Sequence, residues 1–424
     1  MSEERPADEP GTSLTRRGAL VGGSAFGALL LPGMAQAAAA PGSVKRYAPP
    51  RKITNARHQI VFKDDKWYTG WTYVIGFWDM KDGELIQSVF SVPSDYSTPD
   101  SADQDKIPRH PGRTLTFRSK DHGRSWSKPE VNIMNNMDKG WATAKSLADL
   151  GPINYLDPNI LVSNAANGGF GSAKSQTTLR VSRDRGRSWS PTFLVPLDGL
   201  PNHSGMNSFL VRPDGMAMLW LMESGPDGWN RHPLVYALPP GGTDFHFLSM
   251  ITELQDPKGA ADSGDRSTTL RFGSHRWFYP RAWTLPSGRI LCTLRCQRDP
   301  MGVMWTEVYK SDDGGVSWAY LSRITEFGAP ASLVVMPDGR IVAVYGYRLM
   351  PAGIRVKVSE DDGATWGPEL ILRDDGGSWD LGYPNAWLTD DGRIGTIYWF
   401  NSKDDPIQQN GGVRHIQSSI FSID

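Results

Sequence analysis

One eight-residue motif occurs four times in the chain and constrains its fold more than any other feature. The copies follow the pattern S-x-D-x-G-x-[ST]-W and cover residues 119–126, 182–189, 311–318 and 359–366. Their first serines are 63, 129 and 48 residues apart, and the middle distance is close to twice the first. A motif that returns at such intervals indicates a repeated structural unit. One degenerate copy is therefore expected in the middle gap, at residues 240–245.

The residue types of the motif predict a tight turn between strands. Asp and Ser side chains bond nearby backbone amides, Gly supplies a positive φ, and the Trp can pack between neighbouring sheets. The pattern resembles the Asp box of sialidase-type β-propellers. The resemblance implies an all-β fold whose boxes close turns on the rims of the blades, away from the pocket. The boxes are therefore expected to identify the fold and to carry no chemistry.

A second repeat predicts the number of blades. Pairs of apolar runs flank short turns, most of which contain Asp-Gly, a strong hairpin signal. These hairpins cover residues 73–90, 206–222, 279–294, 331–345, 383–400 and, more loosely, 157–170 with a turn near 164–168. The sequence thus predicts a six-bladed β-propeller of four-stranded antiparallel blades over residues 55–424. Residues 58–63 precede the first hairpin and could add the outer strand of the last blade, which would close the ring.

The N-terminal residues 1–37 resemble a twin-arginine export signal. Thr15-Arg16-Arg17 precedes an apolar stretch, and Ala35-Gln36-Ala37 fits a cleavage site for small residues. The stretch contains several Gly and a Pro, which makes it a poor transmembrane helix. We expect a secreted or periplasmic protein without a stable membrane span, in which residues 38–54 form a linker before the propeller.

Composition and motifs argue against several classes of partner and cofactor. The formal net charge of −1 gives no electrostatic reason to expect nucleic acid. Cys292 and Cys296 lie about 13 Å apart on an extended strand, too far for a disulfide, so buried free thiols are expected. The chain has no zinc, nucleotide or calcium motif, and neither a cofactor nor a metal is predicted.

The resemblance to sialidases is strongest in the last predicted blade. Those enzymes carry Gly-Tyr at the start of an inner strand, followed by an Asp-Gly turn and a strand with Ile-Gly and an aromatic residue. Gly382-Tyr383 stands nine residues before Asp391-Gly392, and Ile394-Gly395 follows with Tyr398. The resemblance implies that Tyr383 is a nucleophile. A phenol suits an anomeric centre that bears a carboxylate, and a neighbouring group must lower the cost of its ionisation.

Arginines border the predicted inner strands of the later blades and suggest an anionic ligand. Sialidases clamp the substrate carboxylate with three arginines, because the planar guanidinium matches both carboxylate oxygens. The candidates here are Arg281, Arg295, Arg348, Arg355 and Arg414. The chain also departs from the family pattern. Residues 73–75, Tyr-Val-Ile, stand where the resemblance expects Arg-Ile-Pro, and Glu307 stands where another arginine is expected.

The sequence leaves the acid/base group open. In sialidases an aspartate on a loop near the first blade protonates the leaving group, and the insert of residues 91–112 lies there. Its acidic candidates are Asp95, Asp100, Asp103 and Asp105. Three further candidates lie at the ends of predicted inner strands or just before them: Asp157, Glu223 and Asp380.

Two histidines and the incomplete clamp keep other functions open. His203 and His275 precede predicted inner strands. A His or Tyr can abstract a proton beside a uronate carboxylate while Arg stabilises the enolate. The first prediction is an exported sialidase-type exo-glycosidase acting on a terminal acidic sugar of a glycan. The alternatives are an exo-lyase or glycosidase on uronate- or rhamnose-containing glycans, and a carbohydrate-binding propeller without catalysis.

Overall fold

The chain folds into six β-sheets arranged as the blades of a six-bladed β-propeller. The computed structural model describes residues 48–109, 111–132, 146–167, 171–225, 231–252, 276–297 and 304–423. The predicted export signal and His275 lie outside the described residues. No helix in these described ranges is long and apolar enough to cross a bilayer.

The first three blades follow one another along the chain. In blade one the inner strand is split by a short helix, and the elements are β3 (Trp67–Gly70), α1 (Thr72–Ile75), β4 (Gly76–Asp79), β5 (Leu85–Pro93), β6 (Arg113–Ser119) and β7 (Glu130–Asn132). Blade two contains β8 (Leu161–Asn167), β9 (Gln176–Ser182) and β10 (Phe193–Leu194). Blade three contains β11 (Ser204–Val211), β12 (Ala217–Ser224), β13 (Arg231–Leu238) and β14 (His246–Met250).

The last three blades repeat the four-stranded pattern. Blade four contains β15 (Arg276–Thr284), β16 (Ile290–Gln297), β17 (Met304–Ser311) and β18 (Ala319–Thr325). Blade five contains β19 (Ala331–Val335), β20 (Ile341–Tyr347), β21 (Gly353–Ser359) and β22 (Leu370–Arg373). Blade six contains β23 (Gly382–Leu388), β24 (Ile394–Phe400) and β25 (His415–Phe421). Short 3-10 helices cover Asp100–Ala102, Leu147–Leu150 and Gln409–Gly411.

The two ends of the propeller chain join in blades five and six. The strand β2 (Arg57–Phe62) pairs antiparallel with β25 as the outer strand of blade six, which confirms the predicted ring closure. The strand β1 (Arg51–Lys52) pairs parallel with β22 in blade five. Part of the segment predicted as a linker is therefore built into a sheet.

The prediction for blade two was wrong. Residues 164–167, expected in a hairpin turn, belong to β8, which pairs along its whole length with β9. The strand β8 packs against β11 of the next blade. In the described part of blade two, β8 is the innermost strand of the sheet, since no further strand pairs with its inner edge. The turn-like residues Asp157 and Asn159 instead form a loop against the second Asp box, where the Arg185 amide donates to the Asn159 carbonyl.

The four Asp boxes are built as their residue types predict. In the box of blade four, the Gly315 amide donates to Ser311 Oγ at 2.8 Å, and Asp313 accepts from the Ser317 amide at 2.9 Å. The Trp318 indole donates to Ser249 of the preceding blade, so the Trp links neighbouring sheets. The degenerate segment 240–245 forms the corresponding turn between β13 and β14.

The apolar core lies between the blades. Six of the buried clusters each join two neighbouring sheets: blades one and six, five and six, two and three, three and four, four and five, and one and two. Cys292 and Cys296 are buried free thiols within this core. Because each sheet packs on both faces, a continuous ring holds the inner strands around a shared centre.

The register of the strands separates two faces of the ring. Each box follows the third strand of its blade. The end of that strand pairs with the start of the second strand, beside the hairpin turn between the first and second strands, as Ser359 pairs with Ile341. Tyr383 lies at the opposite end of its inner strand, since Gly382 pairs with Trp399 and Leu388 pairs with Ile394 beside the turn. The boxes and the candidate nucleophile therefore lie on opposite faces.

Candidate functional site

Irregular inner strands direct two tyrosines toward the centre of the propeller. Tyr279 in β15 and Tyr383 in β23 have φ angles of 52° and 53°, and the pairing register of both strands shifts at these residues. A left-handed conformation is unfavourable for a bulky residue and is found most often at functional sites. The two bulges re-aim the side chains, as bulges at the rims of such folds commonly do.

Three tyrosines from three blades meet at this point. The ring of Tyr383 lies 5.6 Å from that of Tyr279 and 6.4 Å from that of Tyr73 in α1. The hydroxyl oxygens of Tyr383 and Tyr279 are 3.3 Å apart. Tyr383 is 3% exposed, so its hydroxyl group works in a largely desolvated setting.

Two arginines complete the centre of the site. Arg295, on β16, donates from Nη1 to the Tyr383 hydroxyl at 2.8 Å and from Nη2 to Gln297 at 3.3 Å. Arg348, directly after β20, places its guanidinium 5.1 Å from the Tyr383 ring centre. Its Nε donates to the Leu381 carbonyl. Its two terminal nitrogens are buried and have no hydrogen-bond partner among the described residues.

The arginines change the acidity of the tyrosine beside them. Burial alone would raise the pKa of Tyr383, but the charges of Arg295 and Arg348 and the hydrogen bond shared with Tyr279 outweigh it, so this pKa lies below its ordinary value. Burial and the neighbouring Tyr383 raise the pKa of Tyr279 well above its ordinary value. Burial raises the pKa of Tyr73 to about 12. Tyr383 is therefore the member of the trio that ionises first.

Arg281 supports the trio from β15. Its guanidinium lies 3.9 Å from the Tyr73 ring centre, donates to the Tyr73 carbonyl at 2.9 Å, and also bonds Asn385 Oδ1. Asn385 in turn donates to the Thr72 carbonyl. These bonds tie blades one, four and six together around the three rings, so Arg281 has a structural role here.

Two other predicted clamp residues are occupied by the protein itself. Arg355 is buried in blade five, where it bonds the carbonyls of Arg373 and Pro351. Arg414 and Asp380 form an ion pair whose two side chains are 0% exposed. Neither guanidinium is available to a ligand, so Arg355 and Arg414 do not form the predicted clamp. Asp380, a candidate for the acid/base group and for substrate binding, is buried in the ion pair with Arg414 and does not reach a substrate. Their positions in the strands were visible in the sequence, but their partners were not.

The Asp380 carboxylate nevertheless helps to build the site. It accepts a bond from the Tyr68 hydroxyl at 2.7 Å and one from the Gln104 amide at 3.3 Å. Gln104 belongs to the insert of residues 91–112, so the carboxylate fastens this insert to blades one and six. Arg109, at the end of the same insert, stacks on Trp71 with 3.9 Å from its guanidinium carbon to the ring centre.

One of the four aspartates in the insert interacts with Tyr383 through its charge. The charge of Asp105 partly opposes the lowering of the Tyr383 pKa by the two arginines, and it contributes, after Tyr383 and Tyr279, to the raised pKa of Arg295. The other three bond within the insert: Asp95 to Ser97, Asp100 to Lys106, and Asp103 to the Asp105 amide. Asp105 is exposed, and its charge is the one from the four aspartates that acts on Tyr383 among the described interactions.

The remaining candidates lie elsewhere in the ring. Asp157 contacts Asn159 beside the second Asp box, on the opposite face from Tyr383. His203 is buried between blades two and three, where it bonds Thr177 and the Pro196 carbonyl. Glu223 is the penultimate residue of β12 and lies in blade three at the strand end away from the hairpin turn, on the same face of the ring as Tyr383, and burial raises the pKa of its carboxyl. Glu307 lies inside blade four, where it accepts bonds from the indoles of Trp277 and Trp305.

Sequence reasoning missed Tyr279, although a signal was present. Tyr279-Pro280 and Tyr383-Pro384 both begin nine residues before the glycine of the following hairpin turn. The repeated spacing puts the two tyrosines at equivalent places in blades four and six. Among the described residues, no cluster of His, Cys, Asp and Glu could hold a metal ion.

A family model described as a BNR repeat-like domain matches residues 160–396, more than half of the chain. The chain belongs to this BNR repeat-like family. Curated proteins gave no significant match.

Solved structures similar to this BNR repeat-like protein share its fold. A Dyadobacter fermentans protein of unknown function is 20% identical, with a TM-score of 0.64 over 88% of this chain and all of the other. The Trypanosoma rangeli sialidase is 13% identical, with a TM-score of 0.53 over 86% of this chain and 59% of the sialidase. A Fusarium graminearum α-L-arabinofuranosidase in complex with arabinobiose is 12% identical, with a TM-score of 0.54 over 88% of this chain and 98% of the arabinofuranosidase.

Proposed function

We propose that the protein is an exo-glycosidase of the sialidase type that removes a terminal acidic sugar from a glycan. The observation that carries the proposal is the Tyr383 phenol, bonded to Arg295 and faced by Arg348. A nucleophile of lowered pKa beside two cations suits a reacting centre that bears a carboxylate, because the cations offset the repulsion between the two negative charges. The similar structures include enzymes named as sialidases and an α-L-arabinofuranosidase, which supports a glycan as substrate.

In the proposed reaction, Tyr383 first loses its proton to solvent, and the phenolate Oη then forms a bond to the anomeric carbon while the glycosidic bond breaks. The leaving oxygen takes a proton from Asp105. Asp105 then removes a proton from water, which attacks the anomeric carbon and releases the Tyr383 oxygen. Two displacements at one carbon give retention of configuration. Tyr279 keeps its own proton and can donate a hydrogen bond to the Tyr383 oxygen throughout.

An exo-lyase on uronate-containing glycans is the second candidate, and one observation favours it. No carboxylate is hydrogen-bonded to Tyr383 in the described part of the chain, so the phenolate could itself act as a base. It would remove the proton beside the uronate carboxylate. The electron pair would form a double bond as the leaving oxygen departs, while Arg295 and Arg348 stabilise the enolate.

A glycan digest with the full-length chain separates these candidates. Sialylated and uronate-containing oligosaccharides are incubated with the wild type, Tyr383→Phe and, as a matched control, Tyr320→Phe at an exposed tyrosine. Release of an intact acidic sugar that Tyr383→Phe abolishes and Tyr320→Phe preserves supports the glycosidase. A product with the ultraviolet absorbance of a conjugated double bond supports the lyase. A glycan that binds but stays unchanged contradicts both and favours a binding propeller.

Export through the twin-arginine route is part of the same proposal. Residues 15–17 carry the arginine pair and residues 35–37 the cleavage site. Replacing Arg16 and Arg17 by lysine should retain the protein inside the producing cell, as shown by cell fractionation. An unchanged distribution would contradict export by this route.

A further inference from the structure

The two arginines nearest Tyr383 use their nitrogens differently. Arg295 commits one terminal nitrogen to the Tyr383 hydroxyl at 2.8 Å and the other to Gln297 at 3.3 Å. Within the described part of the chain, the one hydrogen bond of the Arg348 guanidinium comes from its Nε, which donates to the Leu381 carbonyl at 3.2 Å. Both of its terminal nitrogens are buried without a partner among the described residues.

Buried donors without partners are costly and uncommon in folded proteins. The guanidinium of Arg348 lies between two aromatic rings, 5.4 Å from the centre of Trp379 and 5.1 Å from that of Tyr383. The stacking holds its planar fork in place, while the two terminal nitrogens stay open to an acceptor. An anion with two oxygens, such as a carboxylate, can satisfy both at once.

We propose that the two arginines have separate roles: Arg295 positions Tyr383 and neutralises its phenolate, whereas Arg348 receives the anionic group of the sugar. The class of the ligand rests on the proposed function, but the division of roles does not. The charged and titratable groups that face Tyr383 are Arg295, Arg348, Tyr279, Tyr73 and Asp105.

A measurable coupling follows from this arrangement. A carboxylate held at Arg348 adds negative charge beside Tyr383 and offsets part of the effect of the arginine. The pKa of Tyr383 should therefore rise when the anion binds. By reciprocity, the anion should bind more weakly as the pH rises through the Tyr383 pKa.

The test uses the full-length chain and two readouts that need no turnover. The first is the ultraviolet difference absorbance of tyrosinate, titrated against pH, with Tyr383→Phe subtracted to isolate Tyr383. The second is calorimetric binding of N-acetylneuraminate and glucuronate, with glucose as the uncharged control. The variants are Arg295→Gln, Arg348→Gln and, as a control on the opposite face, Arg393→Gln, whose partner is Asp391.

We expect Arg348→Gln to weaken the binding of at least one of the two acids by about tenfold or more, the factor that corresponds to losing charge-assisted hydrogen bonds. Arg295→Gln should produce the larger rise in the Tyr383 pKa and the smaller loss of binding. Arg295→Lys, which keeps the charge, should restore part of the phenol shift. Arg393→Gln should alter neither readout.

The outcomes separate this inference from the proposed function. The division of roles would be overturned if Arg295→Gln and Arg348→Gln had equal effects on both readouts. It would also be overturned if the wild type bound neither acid. Binding that depends on Arg348, with a rise in the Tyr383 pKa, supports the division even if no glycan is cleaved. In that case the catalytic proposal alone would fail.

Discussion

The ion pair of Arg414 with Asp380 gives a sharp test of how the site is held together. Both side chains are 0% exposed. The carboxylate also accepts bonds from Tyr68 and from the amide of Gln104. The Arg414→Met variant keeps a long side chain but leaves this carboxylate without its cation. Breaking a buried pair in this way costs about 3–5 kcal/mol, and we expect a loss of that size in the free energy of unfolding at neutral pH.

The loss should depend on pH in a definite direction. Burial raises the pKa of Asp380 even in the wild type, against the opposing charge of Arg414. The variant removes the largest of the influences that lower this pKa, while the Tyr68 hydrogen bond and the charge of Arg348 remain, so the pKa rises further. A carboxyl with a raised folded pKa stabilises the fold at low pH, and this contribution is lost as the pH rises through the folded pKa. The destabilisation by Arg414→Met should therefore shrink as the pH is lowered below the Asp380 pKa of the variant, by about 1.4 kcal/mol for each pH unit.

Urea unfolding followed by tryptophan fluorescence measures the effect. A double variant, Arg414→Met with Asp380→Asn, removes the charge but keeps an oxygen that can accept bonds from Tyr68 and Gln104. It should be clearly more stable at neutral pH than the single variant. Arg393→Met at the exposed face serves as the control. A loss below about 1 kcal/mol, the value of a surface pair, or a double variant no more stable than the single one, would refute the reasoning.

Three further predictions concern the insert, the inner strand and the boxes. Asp105→Asn should lower turnover about 100-fold or more if Asp105 transfers a proton, whereas the matched Asp103→Asn should leave kcat nearly unchanged; equal effects would argue against this role. Gly382→Ala should cost about 1–3 kcal/mol and impair activity, because its φ is +108° and a Cβ would lie 2.9 Å from the backbone of blade five. Gly392→Ala is the control, since its φ is also positive but nothing lies within 4 Å; similar activity losses in both would contradict the steric explanation. Hydrogen bonds from serine residues of its box lower the pKa of Asp313 to about 2, so its stabilising contribution is present above its ordinary pKa of about 4 and is lost as the pH falls toward 2. Acid unfolding of Asp313→Asn should lack this component, and an unchanged acid transition would count against it.

Local patterns made most of the fold predictable. Each Asp box closes its turn through bonds among its own residues, as Ser311, Asp313 and Ser317 do, so its structure is specified within eight positions. The outer position of β2 could be inferred because an open sheet edge needs a partner. Blade two was misread because turn-forming residues near Asp157 serve a neighbouring box rather than an inner hairpin.

The site was less predictable, because its contacts join distant parts of the chain. The spacing from Tyr383 to its turn glycine indicated one tyrosine, and the same spacing would have indicated Tyr279. The sequence showed where Arg348 and Arg414 lie in their strands. It could not show that Arg414 meets Asp380, 34 positions away, while the terminal nitrogens of Arg348 have no hydrogen-bond partner in the described part of the chain. Which arginines are already bonded within the protein depends on partners that no local pattern contains.

The pairing of β2 with β25 also determines when the ring of blades can close during folding. His58 and Ser419, which bond across these strands, are 361 positions apart in the sequence. A contact between such distant residues carries a large loop-closure entropy and is expected late in folding. During synthesis β2 must wait until nearly the whole chain has been made, and β25 presents an open edge until β2 arrives. At high concentration the β2 of a second molecule could fill that edge first, so strand exchange between copies is the characteristic misfolding risk of this ring.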